Sequence, residues 1–235
     1  MYYDIRQTEN KDFEEAYWGT IKDPDGKERN RINEKDMYLD DIKDELSYLN
    51  KLPAGKILDV GCGLGFLLSG LDKKFEKFGV EVSSLACESA RNYGNIFNGT
   101  LENAKFKDNE FDIIVMYHVI EHIEKPEEII REINRILKPN GVFLIATPNF
   151  KCFCARRFKD NFRLLHDKTH ISLFSDKSLT KFLKDFGFKI EKKAYPYFKT
   201  RHFTLKNILR LFDTKKMSPP FYGNVMTFYC RKNDV

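Results

Sequence analysis

Between residues 30 and 50, Leu39, Ile42, Leu46 and Leu49 recur at spacings of 3, 4 and 3, the period of an amphipathic helix that buries one stripe. Pro53-Ala54-Gly55 breaks that period, and Ile57-Leu58-Asp59-Val60 follows as a short buried strand running into glycines. Phe78 to Val82 reads as a second strand, Ser84 to Asn92 as a helix, Ile96 to Gly99 as a short strand and Phe111 to Tyr117 as a nearly continuous apolar run, hence a central strand. A helix over 126–137 places Pro126 in its first turn, Glu127 and Glu128 at the positive end of its dipole, and Ile129, Ile133, Ile136 and Leu137 on one face. Pro139-Asn140-Gly141 then turns the chain into a strand, Val142 to Ala146. Strands alternating with helices predict an α/β fold with a mostly parallel sheet covered on both sides.

After Thr147-Pro148-Asn149 the pattern lapses over 150–175, too long for an ordinary connection and rich in Arg, His and Phe. Ser175-Asp176 caps a further helix with Leu179, Phe182, Leu183 and Phe186 as its apolar positions and Gly187 as its stop. Phe188 to Ala194 and Val225 to Cys230 read as two last strands, joined by a second irregular basic stretch, 196–224. The expected organisation is one domain over 1–235: an N-terminal flap and helix (1–52), a ligand-binding core (53–149), and two substrate-facing insertions (150–175 and 196–224).

With 235 residues, 42% hydrophobic and 14% aromatic, the chain can bury a sizeable core and is neither disordered nor low-complexity. No stretch approaches a membrane span, and Met1 to Lys11 lacks the apolar region of a signal peptide, which predicts a cytoplasmic protein. Five scattered cysteines fit reduced thiols better than a disulfide framework. The net charge of +5 hides an asymmetry: residues 1–150 hold 20 Lys+Arg against 28 Asp+Glu, or −8, and residues 151–235 hold 20 against 7, or +13. A cationic C-terminal third raises the local concentration of anionic ligands.

The most informative segment is Asp59-Val60-Gly61-Cys62-Gly63-Leu64-Gly65-Phe66. Its alternate glycines permit positive φ and let the backbone pass close to a ligand. The dinucleotide fingerprint needs a third glycine at 66, where Phe stands, so a pyrophosphate site is disfavoured. Asp59 precedes the loop and Glu81 ends the second strand, and a carboxylate there can accept both hydroxyls of a ribose. This acidity suits a cationic nucleoside.

These residues resemble the class I S-adenosylmethionine-dependent methyltransferases, specifically the small-molecule branch with ubiquinone-biosynthesis and sugar O-methyltransferases. The matching motifs are Ile57 to Gly65, Glu81, Phe111-Asp112-Ile113-Ile114 leading to Val119-Ile120-Glu121-His122-Ile123, Leu137-Lys138-Pro139-Asn140-Gly141, and Thr147-Pro148-Asn149. The resemblance implies a Rossmann-like, seven-stranded sheet with an antiparallel last strand, and S-adenosylmethionine as cofactor with S-adenosylhomocysteine as product. It implies that Asp59, Gly61, Gly63 and Gly65 form the methionine-side loop, that Glu81 holds the ribose, and that Val82 lies against the adenine. Leu101 and Glu102 would edge the adenine ring, and Tyr117 would touch the methionine portion. Tyr2, Tyr3, Arg6, Tyr17 and Trp18 are expected to form an N-terminal flap over the cofactor.

Methyl transfer from a sulfonium is an in-line displacement, so the protein must orient an acceptor atom and, where needed, take its proton. His118, His170 and His166 are the expected bases, and Arg156, Arg157 and Arg163 the expected ligands of an anionic substrate arm. His118, Glu121 and His122 occupy i, i+3 and i+4 and can share a face on a helical turn. With His170 they resemble the divalent-metal site of small-RNA 2′-O-methyltransferases, although His118 stands where that pattern has Glu. Metal is not expected. The leading expectation is O-methylation of a small anionic carbohydrate or related metabolite. The alternatives are an RNA 2′-O-methyltransferase with a divalent metal, against which no RNA-binding module is found, and a non-catalytic binding protein of the same fold.

Overall fold

The computed structural model describes residues 18–22, 28–198 and 200–233. Ahead of the main sheet come a two-stranded antiparallel ribbon, β1 (Thr20–Lys22) and β2 (Glu28–Asn30), and helices α1 (Lys35–Asp41) and α2 (Lys43–Leu49). The helical period expected over 30–50 is thus realised as two short helices meeting at Ile42, which is buried together with Leu49.

The body of the chain runs β3 (Gly55–Val60), α3 (Phe66–Gly70), β4 (Phe75–Glu81), α4 (Ser84–Ala90), β5 (Asn95–Asn98), β6 (Phe111–Tyr117), α5 (Pro126–Ile136) and β7 (Leu137–Pro148). It ends with α6 (Phe153–Phe158), α7 (Asp176–Asp185), β8 (Phe188–Ala194), α8 (Leu205–Arg210) and β9 (Val225–Lys232). The sheet order is β5-β4-β3-β6-β7-β9-β8, and β9 runs opposite in direction to the other six strands. This is the Rossmann-like, seven-stranded arrangement with an antiparallel last strand.

Alternation along β3 divides the core between the two faces of the sheet. Leu58 and Val60 join the cluster with Ile130 and Ile133 of α5 and Leu179 and Leu183 of α7. Ile57 joins the opposite cluster, with Ile42, Leu49, Leu67 and Leu68. Burial on both faces explains why β6, buried from Ile113 to Met116, reads as an unbroken apolar run.

Two of these helices start as their sequences suggest. Pro126 occupies the first turn of α5, and Ser175 and Ser178 form a reciprocal capping box at the start of α7. One boundary differs from the sequence expectation. Pro139-Asn140-Gly141 does not separate α5 from a new strand; β7 begins at Leu137, paired with Phe111, and the register jumps before Val142 pairs with Ile113. The turn residues are an excursion within one strand, with Asn140 at φ +58°.

Consecutive strands run outward from β3 in one direction through β4 and β5, and in the other through β6 and β7. The crevice at the carboxyl ends of β3, β4 and β6 is therefore the topological switch point, where open α/β sheets bind ligands.

Candidate functional site

A cavity of about 870 Å³ occupies that crevice. Its floor is the glycine loop, where Gly61, Gly63 and Gly65 all adopt positive φ, at 72°, 53° and 78°. A Cβ on Gly65 would stand 2.7 Å from the Cα of Ala90, a backbone atom that cannot swing aside. Gly63 lies under Trp18, whose Cη2 would be 2.9 Å from a Cβ there, so the indole covers the loop. Tyr2, Tyr3, Arg6 and Tyr17 lie outside the described residues.

Two buried carboxylates belong to this part of the fold, Glu81 in the cavity lining and Asp59 at the end of β3 just before the glycine loop, outside the lining. Glu81, 6% exposed at the end of β4, accepts the Gly63 N–H on Oε2 and the Ser83 N–H on Oε1, each at 2.9 Å. Burial pushes its carboxyl up, against the downward pull of those two amides. Asp59, 3% exposed, is raised to about 7 by burial and by the charge of Glu81. Such a pair disfavours a polyanion and favours a cation.

The remaining walls come from segments between Arg31 and His170. Val82, Leu101 and Glu102 line one end, and Tyr38 and Tyr117 line the cavity too, with their rings 6.3 Å apart, edge to face. Arg31 and Glu34 enter from the segment before α1, and Pro148, Leu164, Asp167 and His170 from the segments after β7. Arg31, Glu34, Tyr38, Leu164 and Asp167 escape sequence reasoning. Each sits beside a periodic or motif-bearing run without belonging to it, and only the tertiary fold brings them to the crevice.

Three histidines in the wall are held by the same device. His118 Nδ1 donates to Glu121 Oε1 at 3.1 Å, His122 Nδ1 to the Thr169 carbonyl at 3.1 Å, and His170 Nδ1 to the Leu164 carbonyl at 2.6 Å. Because these oxygens accept, Nδ1 carries a proton in each ring, and His170 Nε2 stands 3.8 Å from the Asp167 carboxylate. Burial lowers His122 to about 3, so it is neutral at pH 7. Burial alone would raise the Glu121 carboxyl, but the hydrogen bond and charge of His118 hold it at about 2.

His118, Glu121 and His122 do not meet as residues on a regular α-helix. His118 has φ +56° and Ile120–His122 form a 3₁₀ turn. Glu121, His122 and His170 offer ligand atoms within 4.8 Å of one another, a spacing that would admit a cation. Glu121 is already engaged on both sides, by His118 and by the Thr147 hydroxyl at 2.9 Å.

Of the expected bases, His118 and His170 line the cavity, whereas His166 is exposed and outside its wall. Arg156 and Arg157 are exposed on α6, and the Arg157 Nε donates to the Leu211 carbonyl at 2.8 Å. Arg163 is half-buried, with its backbone N–H bonded to Ser218. None of these three arginines lines the cavity.

A family model described as a methyltransferase domain matches residues 31–193. An uncharacterized protein of Methanocaldococcus jannaschii is 28% identical over 173 residues, covering 71% of this chain and 82% of its own. A ubiquinone biosynthesis O-methyltransferase of Pasteurella multocida is 32% identical over 126 residues, covering 44% of this chain and 52% of its own, so the chain spans about half the length of that relative. Among solved structures, a chain from the Haloferax volcanii complex of the Trm112 methyltransferase activator with a methyltransferase superposes with a TM-score of 0.66 at 17% identity, covering 86% of this chain and 93% of its own. At that identity the likeness speaks for the fold.

Proposed function

Since this chain belongs to the methyltransferase-domain family and is a S-adenosylmethionine-dependent methyltransferase, we propose that it transfers the methyl group to an oxygen of a small anionic carbohydrate or related metabolite. The observation that carries this reading is one cavity lined both by the buried Glu81 and by His170, the latter in a segment that belongs to the cationic C-terminal third.

The residues present suit the cofactor. Gly61 and Gly63 line the cavity and present bare backbone to a ligand, and buried Asp59 and Glu81 suit a ligand that is cationic and bears hydroxyls. Glu81 would hold the ribose, with Asp59, Gly61, Gly63 and Gly65 around the methionine portion and Tyr117 beside it. Val82, Leu101 and Glu102 would border the adenine. When bound, S-adenosylmethionine supplies an electrophilic methyl group on a sulfonium.

The chain's own residues supply orientation and proton transfer. His170, fixed by Leu164, offers Nε2 to an acceptor hydroxyl entering past Leu164 and Asp167, and His118 is the second base. Deprotonation of the acceptor as the C–O bond forms is worth ~10²- to 10⁴-fold. Trp18 and Leu164, both in the cavity wall, would limit the access of water to the methyl group. Arg156, Arg157 and Arg163 would act at longer range, as a field that draws an anion towards the mouth. Five free, buried cysteines support a reducing, cytoplasmic location.

The convergence of Glu121, His122 and His170 favours a second reading, a divalent-metal 2′-O-methyltransferase acting on RNA. A panel of sugar phosphates, nucleotide conjugates and short RNAs, incubated with labelled methyl donor, separates the two. Label on a small anionic acceptor supports the first reading, and label on RNA alone, abolished by EDTA and restored by Mg²⁺ or Mn²⁺, replaces it. Cofactor binding with no label on any acceptor would point to a non-catalytic binding protein.

A further inference from the structure

Among the described residues, ten of the twelve large hydrophobic side chains that remain exposed fall within the two insertions, 150–175 and 196–224, which pack together as a cap. They are not loose ends of an unformed region. The cap has its own buried cluster, Cys152, Cys154, Phe158 and Phe162, with Leu211 and Phe221 packed against it. Its two halves are laced together by Arg157 Nε to the Leu211 carbonyl, Asn161 Nδ2 to the Thr214 carbonyl and Ser218 N to the Asn161 carbonyl, at 2.8, 3.1 and 2.8 Å. The apolar side chains thus project from an ordered cap.

The most exposed of them share a stripe. Leu205, Leu209 and Phe212 stand at i, i+4 and i+7 along α8 and the turn that follows, at 70%, 59% and 76% exposure. Phe198, 60% exposed, continues the apolar surface with ring contacts to Phe203 and Tyr222 at 5.4 and 5.3 Å. Cations are interleaved with this stripe: Lys206 and Arg210 on α8, then Lys215 and Lys216, against a single acidic residue, Asp213, between 196 and 224.

We propose that this face docks on an anionic lipid bilayer, with Leu205, Leu209 and Phe212 entering the headgroup boundary and the neighbouring lysines and arginines meeting lipid phosphates. The charge is complementary to such a surface, and long basic side chains can lay their stems among apolar neighbours while the charged ends reach the phosphates. A second copy presenting the same face would set like charges against each other. A polyanion such as RNA would use the cations and leave the leucines and Phe212 exposed. Leu165, Ile171 and Leu173, in the other insertion and next or near in sequence to the cavity residues Leu164 and His170, are exposed as well. Docking goes beyond the proposed reaction and does not depend on which acceptor is methylated.

Flotation of the full chain with phosphatidylcholine vesicles, with and without phosphatidylglycerol, tests the proposal. Binding is expected to the anionic vesicles only and to weaken with salt. The double variant Leu209→Asp, Phe212→Asp should partition at least ~tenfold less, since it removes two apolar side chains and adds like charge to the surface. Lys181→Gln, on α7 outside the cap, should float like wild type. Cofactor affinity and thermal midpoint measured on the same variants establish that the exposed substitutions leave the fold and the cofactor site intact, so this test stands apart from the methyl-transfer assay. Failure of wild type to float with anionic vesicles, or equal flotation of the double variant, would overturn docking. A lipid-independent dimer broken by Leu209→Asp, Phe212→Asp would assign the stripe to a second copy instead.

Discussion

Residues 53–149 and the two insertions, 150–175 and 196–224, are built on opposite rules. In the first, apolar strands are buried from both faces, and four ionisable groups at the crevice are enclosed: Asp59, Glu81, Glu121 and His122 are at most 6% exposed. In the second, large aromatic and aliphatic side chains stand in solvent beside lysines and arginines, over a small core of their own. A buried carboxylate is tuned by its surroundings, and an exposed cation is screened by solvent. The first region therefore suits holding one defined ligand, and the second suits meeting a surface or guiding an anion. His170 belongs to the cap by sequence and to the cavity by position, and it joins the two.

That division of labour can be broken most forcefully at His170. His170→Ala is expected to lower kcat by ~10²- to 10⁴-fold while cofactor affinity stays within about twofold of wild type. A pH–rate profile that loses its lower limb would mark the histidine as a base, and an equal loss of cofactor affinity would show that cap and core do not act separately.

Gly65→Ala probes the core alone. It forces a side chain into a left-handed conformation 2.7 Å from the Ala90 backbone, and urea titration should register about 2 kcal/mol or more of destabilisation. An unchanged unfolding midpoint would mean that the loop relaxes freely.

A smaller effect is expected from pH. The Asp59 carboxyl titrates near 7 in the fold against an ordinary value of 3.8, so the folded chain keeps a proton that the unfolded chain has released. Its contribution to stability is complete below the unfolded value and is lost as pH rises through the folded one. A cationic ligand prefers the ionised form, so cofactor affinity should rise by up to about tenfold as pH passes through 7. Calorimetry in buffers of differing ionisation enthalpy would detect the released proton, and Asp59→Asn should flatten the dependence.

The least effect is expected from EDTA, which should leave methyl transfer largely intact. Abolition, with rescue by Mg²⁺ or Mn²⁺, would give Glu121, His122 and His170 a cation to hold.

The core was largely legible in the chain because its signals are local. Phe111 to Tyr117 forms a strand over the whole apolar run, and the glycines of 61–65 declare a loop whose φ values no other residue accepts easily. The cap was less legible because its chain follows no period. His166 and His170 are four apart, yet the stretch between them is turns rather than helix, so only one reaches the cavity. Arg31 and Glu34 were equally hidden, since nothing near them in sequence marks the crevice they enter. The irregular stretch 196–224 gave no hint of α8 or of the stripe it carries.

The account rests on the buried carboxylate at the end of β4, and calorimetric titration of wild type and Glu81→Ala with S-adenosylmethionine tests it most directly. A loss of about 1 to 3 kcal/mol in binding, as for a charge-assisted hydrogen bond removed, is the predicted result. Equal affinity in the two proteins would contradict it.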